Sequence, residues 1–159
     1  MPFSPEYNSK ITEPRTGFTK FYHSEEEKKE IEKLCPRMVL VVCLAGQNRS
    51  RLIAEVLDDR GYVSYHGGVG GAHPLTEDEL AGHEAIIFAM EEDQKRFYKK
   101  FPLMKNLPWR ILGLGDSHAA RSLERNEQEE LKQKIAGRLD RLGFIDIKDK
   151  AWNKDEKKS

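Results

Sequence analysis

The sequence predicts an α/β fold, a doubly wound, three-layer sandwich with a central four-stranded parallel sheet. Four apolar segments are typical of strands in such a sheet, where burial on both faces favours continuous hydrophobic runs. Helical patterns lie between them, as parallel strands joined by helical crossovers require. Ligands in these sheets bind beyond the carboxyl ends of the strands, near the point where the strand order reverses. We therefore expect functional residues directly after the strands.

In the first half of the chain, the signals for helix and strand alternate. Ser24 followed by Glu27 is a capping box, which predicts the start of a helix over residues 25–34. The apolar run at 38–42 predicts the first strand. The next helix ends at Gly61, a residue type that suits a helix C-terminus. Its inward positions repeat at helical spacing and are Leu52, Ile53, Val56 and Leu57.

The second half of the chain continues the alternation. Its predicted elements are, in order, a strand at 62–65, a short helix ending near Gly82, a strand at 85–90, a helix at 91–101, a strand at 109–114 and a helix at 126–142 closed by Gly143. Thr76 and Glu79 form a capping box for the short helix. An apolar stripe marks the last helix and consists of Leu131, Ile135, Leu139 and Leu142. Residues 144–147 fit either a terminal edge strand or a segment that packs on the domain.

The chain is predicted to consist of three parts. Residues 1–23 carry three prolines and no clear periodicity, so they form an irregular N-terminal arm whose aromatic side chains pack on the domain or rim a site. Residues 24–147 form a single domain. Residues 148–159 form a charged, Lys-rich C-terminal tail.

Composition excludes several classes of protein. The 159 residues carry 27 basic and 27 acidic side chains, so the formal net charge is zero and nucleic-acid binding is not indicated. The longest apolar run, at 38–45, is far shorter than the roughly 20 residues that a membrane helix needs. The N-terminal residues lack the basic start and apolar stretch of a secretory signal. We therefore expect a cytoplasmic protein with no membrane partner, and its oligomeric state is not readable from the sequence.

The strongest functional signal is the stretch Cys43-x5-Arg49-Ser50, which lies between the first strand and the following helix. A tight loop at this place turns backbone N–H groups inward, and the helix N-terminus adds a positive dipole end, so the loop suits a bound phosphate. The Arg49 fork can bind two phosphate oxygens. The same positive field favours the nucleophilic thiolate form of Cys43. The predicted phosphate-binding residues are Leu44, Ala45, Gly46, Gln47, Asn48, Arg49 and Ser50.

A thiolate that attacks a phosphate monoester needs an acid to protonate the leaving oxygen. Asp116 is the leading candidate because it follows the fourth strand and so shares a sheet edge with Cys43. The predicted catalytic residues are thus Cys43, Arg49 and Asp116. The acidic residues 91–93 follow the third strand at the same edge, but they fit the first turn of a helix better. His118 could orient Asp116, contact substrate, or be an ordinary loop histidine.

The sequence carries no motif for a metal or an organic cofactor. The histidines are scattered, and the Walker A, His-Glu-x-x-His and Cys-x2-Cys patterns are absent. The glycines at 67–71 are not a dinucleotide fingerprint, because His73 stands where the third glycine is required. We predict neither a metal nor a cofactor.

The same stretch resembles a known family, the low-molecular-weight protein tyrosine phosphatases. Residues 41–55 look like the strand, loop and first helix of that family, and residues 85–90 resemble its third strand, which ends in methionine. The resemblance implies that Cys43 is the nucleophile, that Arg49 clamps the phosphate, that Ser50 supports the thiolate and that Asp116 acts first as acid and then as base. It also implies a phosphorylated protein, with phosphotyrosine as the default, or a small phosphate monoester as the substrate.

Three alternatives use the same loop. Residues 47–50 and the sequence Gly-Asp116-Ser-His also resemble the serine phosphatases that act on the C-terminal domain of RNA polymerase II, which are the first alternative. Members of the tyrosine phosphatase family commonly have a proline directly after this aspartate, where the present chain has Ser117. A module that binds phosphopeptides without turnover is the second alternative. An arsenate reductase is the third, but it would need a nearby second cysteine. Cys35 lies across the first strand, some 20 Å away at about 3.3 Å per residue, which is too far for a disulfide.

Overall fold

The computed structural model describes residues 18, 21–44, 49–70, 74–114 and 125–149. The helices are α1 (Glu25–Leu34), α2 (Arg49–Asp59), α3 (Glu91–Lys100) and α4 (Arg125–Leu142). The strands are β1 (Met38–Cys43), β2 (Val63–Gly68), β3 (Ala85–Phe88) and β4 (Trp109–Ile111). Two short 3₁₀ helices span Glu77–Leu80 and Pro102–Asn106. Helices and strands thus alternate as the sequence predicts.

The four strands form one parallel sheet in the order β2-β1-β3-β4. This confirms the predicted α/β fold with a central four-stranded parallel sheet. The chain adds β2 on one side of β1 and then returns to add β3 on the other side, so the strand order reverses at β1. Cys43 lies at the carboxyl end of that strand, opposite Gly68 of β2. A doubly wound sheet places its ligand site at this point.

The two faces of the sheet bury separate apolar cores, which makes the fold a three-layer sandwich. Val39, Val41 and Cys43 of β1 contact the core that contains the apolar stripes of α2 and α4. Leu40 and Val42 contact the other core, which contains the aromatic side chains of α3. Successive side chains of a strand point to opposite faces, so a strand in the middle of the sheet must be apolar throughout.

Three boundaries differ from those expected from the sequence. Strand β2 extends to Gly68 instead of ending at residue 65, because Gly67 and Gly68 continue the pairing with Val42 and Cys43 of β1. Gly67 also lies directly against Leu75, where a Cβ would lie 2.3 Å from Leu75 Cδ2. Strands β3 and β4 end earlier than expected, at Phe88 and Ile111. Residues 144–147 form no strand. Phe144 and Ile147 are buried in the core instead, so this segment packs on the domain.

Part of the N-terminal arm covers the outer edge of β4. Phe18 is buried and forms an antiparallel bridge with Leu114. His23 accepts a hydrogen bond at Nε2 from the backbone N–H of Ile111 over 2.8 Å. Its other ring nitrogen, Nδ1, lies 3.0 Å from Glu27 Oε2. A side chain therefore occupies a strand edge that would otherwise expose an unpaired N–H.

None of the helices in the described ranges is long and apolar enough to cross a membrane.

Candidate active site

Cys43 and Ser50 are in contact at the junction of β1 and α2. Cys43 is the last residue of β1 and Ser50 is the second residue of α2, and both are buried. Cys43 Sγ lies 3.2 Å from Ser50 Oγ. In the thiol form the sulfur donates to the hydroxyl oxygen, whereas the hydroxyl donates to the sulfur once the thiol has lost its proton. The two residues that the motif predicts as nucleophile and partner are thus brought together.

The first residue of the loop after β1 is tied to the end of β2. The backbone N–H of Val69 donates to Cys43 O over 3.1 Å, and that of Gly70 donates to Leu44 O over 3.0 Å. The side chain of Leu44 is exposed. The predicted phosphate-binding residues Ala45, Gly46, Gln47 and Asn48 lie outside the described residues.

Arg49 begins α2, and its part-buried guanidinium makes few hydrogen bonds with the described residues. The Nη1 atom donates to the backbone oxygen of Leu114 over 3.3 Å and lies 3.9 Å from Asp93 Oδ2. The Arg49 side chain is 11% exposed, and its Nε has no hydrogen-bond partner in the described part of the chain. A buried guanidinium with unused donors suits an incoming anion, because the planar fork binds two oxygens at once.

The described partner of Arg49 that sequence reasoning missed is Asp93. It is the third residue of α3 and is 2% exposed. Its Oδ2 accepts a hydrogen bond from the backbone N–H of Met90 over 3.0 Å. Burial raises the pKa of Asp93 to about 6, although Arg49 acts in the opposite direction. The first-turn assignment of Asp93 is therefore right, but it omits the contact with Arg49.

The other acidic residues of the same helical turn do not join the site. Glu91 lies 3.5 Å from Lys95 on its own helix, and Glu92 is exposed. The signal that could have identified Asp93 is the strand order. With β3 next to β1, the first turn of α3 faces the start of α2 across the carboxyl edge of the sheet.

The predicted acid, Asp116, and its neighbour His118 lie outside the described residues. The described part of this segment ends at Leu114, whose backbone oxygen accepts the hydrogen bond from Arg49. The chain therefore enters residues 115–124 from a point beside the Arg49 guanidinium. The role of Asp116 stays a prediction from the sequence.

The described residues contain no group of three or more His, Cys, Asp or Glu side chains that could hold a metal ion. Cys35 and Cys43 do not form a disulfide with each other. The described part of the site thus contains a thiol, a hydroxyl beside it and a guanidinium whose Nε has no hydrogen-bond partner among the described residues.

Comparison with known proteins identifies the fold. No protein-family model and no curated protein matches the sequence. The YwlE arginine phosphatase from Geobacillus stearothermophilus is similar in structure, with a TM-score of 0.53 and 16% identity over 68% of this chain and 91% of that chain. A YwlE arginine phosphatase mutant with a phosphorylated active-site serine gives a TM-score of 0.52 and 11% identity over 73% of this chain and 99% of that chain.

At these identities the similarity establishes the fold and nothing finer. It agrees with the strand order and with the resemblance of the Cys43 loop. The chain therefore has the fold of the low-molecular-weight protein tyrosine phosphatases.

Proposed function

We propose that this protein is a cysteine-dependent phosphatase that hydrolyses phosphate monoesters, in particular phosphotyrosine in proteins, through a phosphocysteine intermediate. One observation carries the proposal. Cys43 Sγ lies 3.2 Å from Ser50 Oγ at the carboxyl end of β1, and the residue before Ser50 is Arg49, whose Nε is buried without a hydrogen-bond partner among the described residues. A nucleophile, a group that stabilises its leaving form and an anion clamp are thus combined at one strand–helix junction.

In the first step of the proposed reaction, the Cys43 thiolate attacks phosphorus in line with the leaving oxygen. The S–P bond forms as the P–O bond to the substrate breaks. Asp116 gives its proton to the departing oxygen, and the products are a free alcohol or phenol and a phosphocysteine. Arg49 and the N–H groups of the loop hold the three equatorial oxygens, where negative charge is spread in the transition state.

In the second step, water hydrolyses the phosphocysteine. The Asp116 carboxylate takes a proton from the water as its oxygen attacks phosphorus. The S–P bond breaks, inorganic phosphate is released and the sulfur leaves as a thiolate. The Ser50 hydroxyl donates a hydrogen bond to that thiolate, which makes it a better leaving group. Cys43 and Asp116 are then ready for another cycle.

Replacement of the nucleophile tests the proposal. We expect Cys43→Ser to abolish hydrolysis of an aryl phosphate while binding of a phosphate analogue survives. Cys35→Ser is the matched control, because Cys35 lies before β1 and we expect full activity from it. Undiminished turnover by the Cys43→Ser variant would contradict the mechanism. Binding without turnover by the wild-type protein would favour a phosphopeptide-binding module instead.

The acid is tested by a series of leaving groups. We expect Asp116→Ala to lower kcat by about 10²–10⁴-fold for poor leaving groups. The loss should shrink as the leaving phenol becomes more acidic, because such a phenolate needs no proton to depart. An equal loss for every leaving group would place the acid elsewhere.

The substrate is tested with a panel of phosphopeptides. Wild-type protein and the Cys43→Ser variant are compared on peptides that carry phosphotyrosine, phosphoserine or phosphothreonine. A phosphoarginine peptide belongs in the panel because the similar solved structures are those of arginine phosphatases. The proposal expects the highest Cys43-dependent kcat/KM for phosphotyrosine. A preference for phosphoserine would favour the alternative resemblance to the RNA polymerase II phosphatases.

A further inference from the structure

Arg49, at the start of α2, and Asp93, in the first turn of α3, form a largely buried pair. Arg49 Nη1 and Asp93 Oδ2 are 3.9 Å apart, which is an ion pair without a direct hydrogen bond. Both side chains are buried, with exposures of 11% and 3%. The Asp93 carboxylate also accepts a hydrogen bond from the backbone N–H of Met90, and a rotation away from Arg49 would break that bond.

A bound phosphate group would change the charge balance of this pair. Without ligand, one guanidinium faces one carboxylate. A phosphate monoester dianion brings two more negative charges to the other side of the same guanidinium. The carboxylate and the phosphate are then like charges separated by the width of one guanidinium, about 8 Å by the dimensions of the group. At an effective dielectric constant of about 20, two such charges together shift a titration by about two to three pH units.

We propose that Asp93 is a positioning residue for Arg49 and that it takes up a proton when a phosphate group binds. This inference rests on the proposed function, because it needs the phosphate to bind at Arg49. In the ligand-free site, the Asp93 carboxylate holds Arg49 in place beside Leu114. In the complex, the carboxylic acid is neutral, and the full charge of Arg49 is available to the phosphate.

The surroundings of Asp93 make this uptake easy near neutral pH. Three charged groups act on it: Arg49 at the start of α2 and Arg96 on its own helix favour the carboxylate, whereas Glu92 on that helix disfavours it. Burial is the largest effect, and it leaves the pKa of Asp93 at about 6 in the ligand-free protein. Asp93 is thus mostly ionised at pH 7, with a pKa only about one unit lower. The negative charge of a bound phosphate is then enough to protonate it.

The consequence is that phosphate binding depends on pH through a residue that does not touch the phosphate. Below pH 6 the site is already protonated at Asp93, and binding requires no proton. Above pH 6 each binding event must take one proton from solution. By linkage, the affinity then falls about tenfold for each further unit of pH until the pKa of the complex is reached.

Sulfate binding to the Cys43→Ser variant tests the proposal. Sulfate stays a dianion over the whole range, so its own titration does not contribute. The Cys43→Ser substitution removes the thiol as a competing site of proton exchange. We expect the Kd for sulfate to rise about tenfold per unit between pH 6.5 and 7.5. Calorimetry at pH 7 in buffers of different ionisation enthalpy should give an uptake of close to one proton per sulfate bound.

Asp93→Asn in the same background should remove both effects. The asparagine side-chain oxygen can still accept the hydrogen bond from Met90, so the start of α3 is kept. We expect a Kd that is independent of pH, tighter at pH 8 than that of the parent variant, and a proton uptake near zero. Glu92→Gln is the matched control. It removes an exposed carboxylate one residue away, and the proton uptake should persist.

Two results would overturn the proposal. One is a proton uptake near zero in the Cys43→Ser parent, which needs no variant at Asp93 and so is independent of any effect on folding. The other is an Asp93→Asn variant that keeps the pH dependence and has a lower affinity for sulfate by the same factor at every pH. That result would mean that Asp93 only supports Arg49. Absence of sulfate binding would contradict the proposed function as well. Cys43-dependent turnover together with zero proton uptake would contradict this inference alone.

Discussion

Arg49 is part-buried and Arg110 is buried, and the two arginines differ in how their terminal nitrogens are bonded. Arg110 on β4 donates to the backbone oxygens of Trp109 and Glu27 over 2.7 and 2.9 Å, and to Glu30 Oε1 over 3.3 Å. Among the described residues, Arg49 donates only to the oxygen of Leu114, at 3.3 Å. Nε lacks a partner in both side chains within the same described set, so the contrast lies in the two terminal nitrogens.

The difference agrees with a structural role for Arg110 and with the proposed ligand-binding role of Arg49. The bonds of Arg110 join the edge strand β4 to helix α1 and use its donors within the fold. Among the described residues Arg49 has no comparable set of acceptors, although buried donors in proteins are normally hydrogen-bonded. On this proposal, burial alone does not identify a ligand-binding arginine, and the hydrogen bonds of its donors must be compared as well.

A second contrast concerns the titratable residue beside each arginine. His23, near Arg110, is fully engaged, because Nδ1 meets Glu27 and Nε2 accepts from Ile111. Asp93, near Arg49, has a backbone hydrogen bond and an ion pair at 3.9 Å. Burial is the main cause of the pKa shift in both residues, but it lowers the pKa of His23 and raises that of Asp93. In each case burial favours the neutral form.

The largest expected effect comes from exchanging each arginine for lysine. We expect Arg49→Lys to lower kcat on an aryl phosphate by about 10²–10³-fold, because lysine cannot hold two oxygens in one plane. Its unfolding free energy should change little. Arg110→Lys should retain kcat but lose about 1–3 kcal/mol of unfolding free energy, since it leaves buried carbonyls unpaired. Steady-state kinetics and urea unfolding of both variants check the pair.

The comparison fails if the two variants behave alike. A loss of stability in Arg49→Lys as large as that in Arg110→Lys would mean that Arg49 is also a structural residue. A loss of activity in Arg110→Lys with unchanged stability would connect β4 to catalysis.

The next effect concerns Asp93 and has an unusual sign. Its pKa of about 6 lies above the unfolded value of 3.8, so the folded state binds the proton more tightly. Stability therefore decreases as pH rises from 4 to 6 and stays lower above pH 6, where the buried carboxylate is ionised. We expect Asp93→Asn to stabilise the protein at pH 8 by about 1–3 kcal/mol and to have little effect at pH 4.

Urea unfolding at pH 4, 6 and 8 measures this difference. Glu92→Gln serves as the control, and its curve should follow that of the wild type. Destabilisation by Asp93→Asn at pH 8 would mean that the ion pair with Arg49 outweighs the cost of burying the charge. A residue that lowers stability when ionised and is nevertheless present fits a functional role better than a structural one.

Local patterns in the sequence suffice to place Cys43, Arg49 and Ser50, because a strand, a short loop and a helix N-terminus are each recognisable over a few residues. The contact between Arg49 and Asp93 is not local. It depends on β3 lying beside β1, and periodicity shows which segments are strands but not their order. For this reason the acidic residues 91–93 read as an ordinary first turn.

Close packing is equally hidden from the sequence. The sequence predicts that the second strand ends at residue 65, before Gly67, yet Gly67 lies within β2, where Leu75 occupies the space that a side chain would need. Nothing in the sequence around His23 indicates that its side chain lies at the edge of β4, where it accepts a hydrogen bond from Ile111. In both cases the contacting residue, Leu75 or Ile111, is distant in sequence and belongs to a common residue type. The sequence pattern therefore does not predict either contact.

The smallest expected effect belongs to His23 and has the opposite pH dependence to that of Asp93. Burial and Arg110 lower the pKa of His23, while Glu27 opposes them. The unfolded chain then takes up a proton that the folded His23 resists, so stability falls as the pH drops below about 6.5. Protonation would also put a hydrogen on Nε2, where it meets the N–H of Ile111.

His23→Gln isolates this contribution, because the glutamine oxygen can accept the same hydrogen bond without titrating. We expect its stability at pH 7.5 to lie within about 1 kcal/mol of the wild type, and the decline in stability between pH 6.5 and 5 to become shallower. Asp93 contributes a rise in stability as the pH falls over part of the same window, so the two contributions oppose each other and the single variants separate them. An unchanged profile in His23→Gln would mean that the pKa of His23 is the same in the folded and the unfolded protein, which would contradict the lowered pKa.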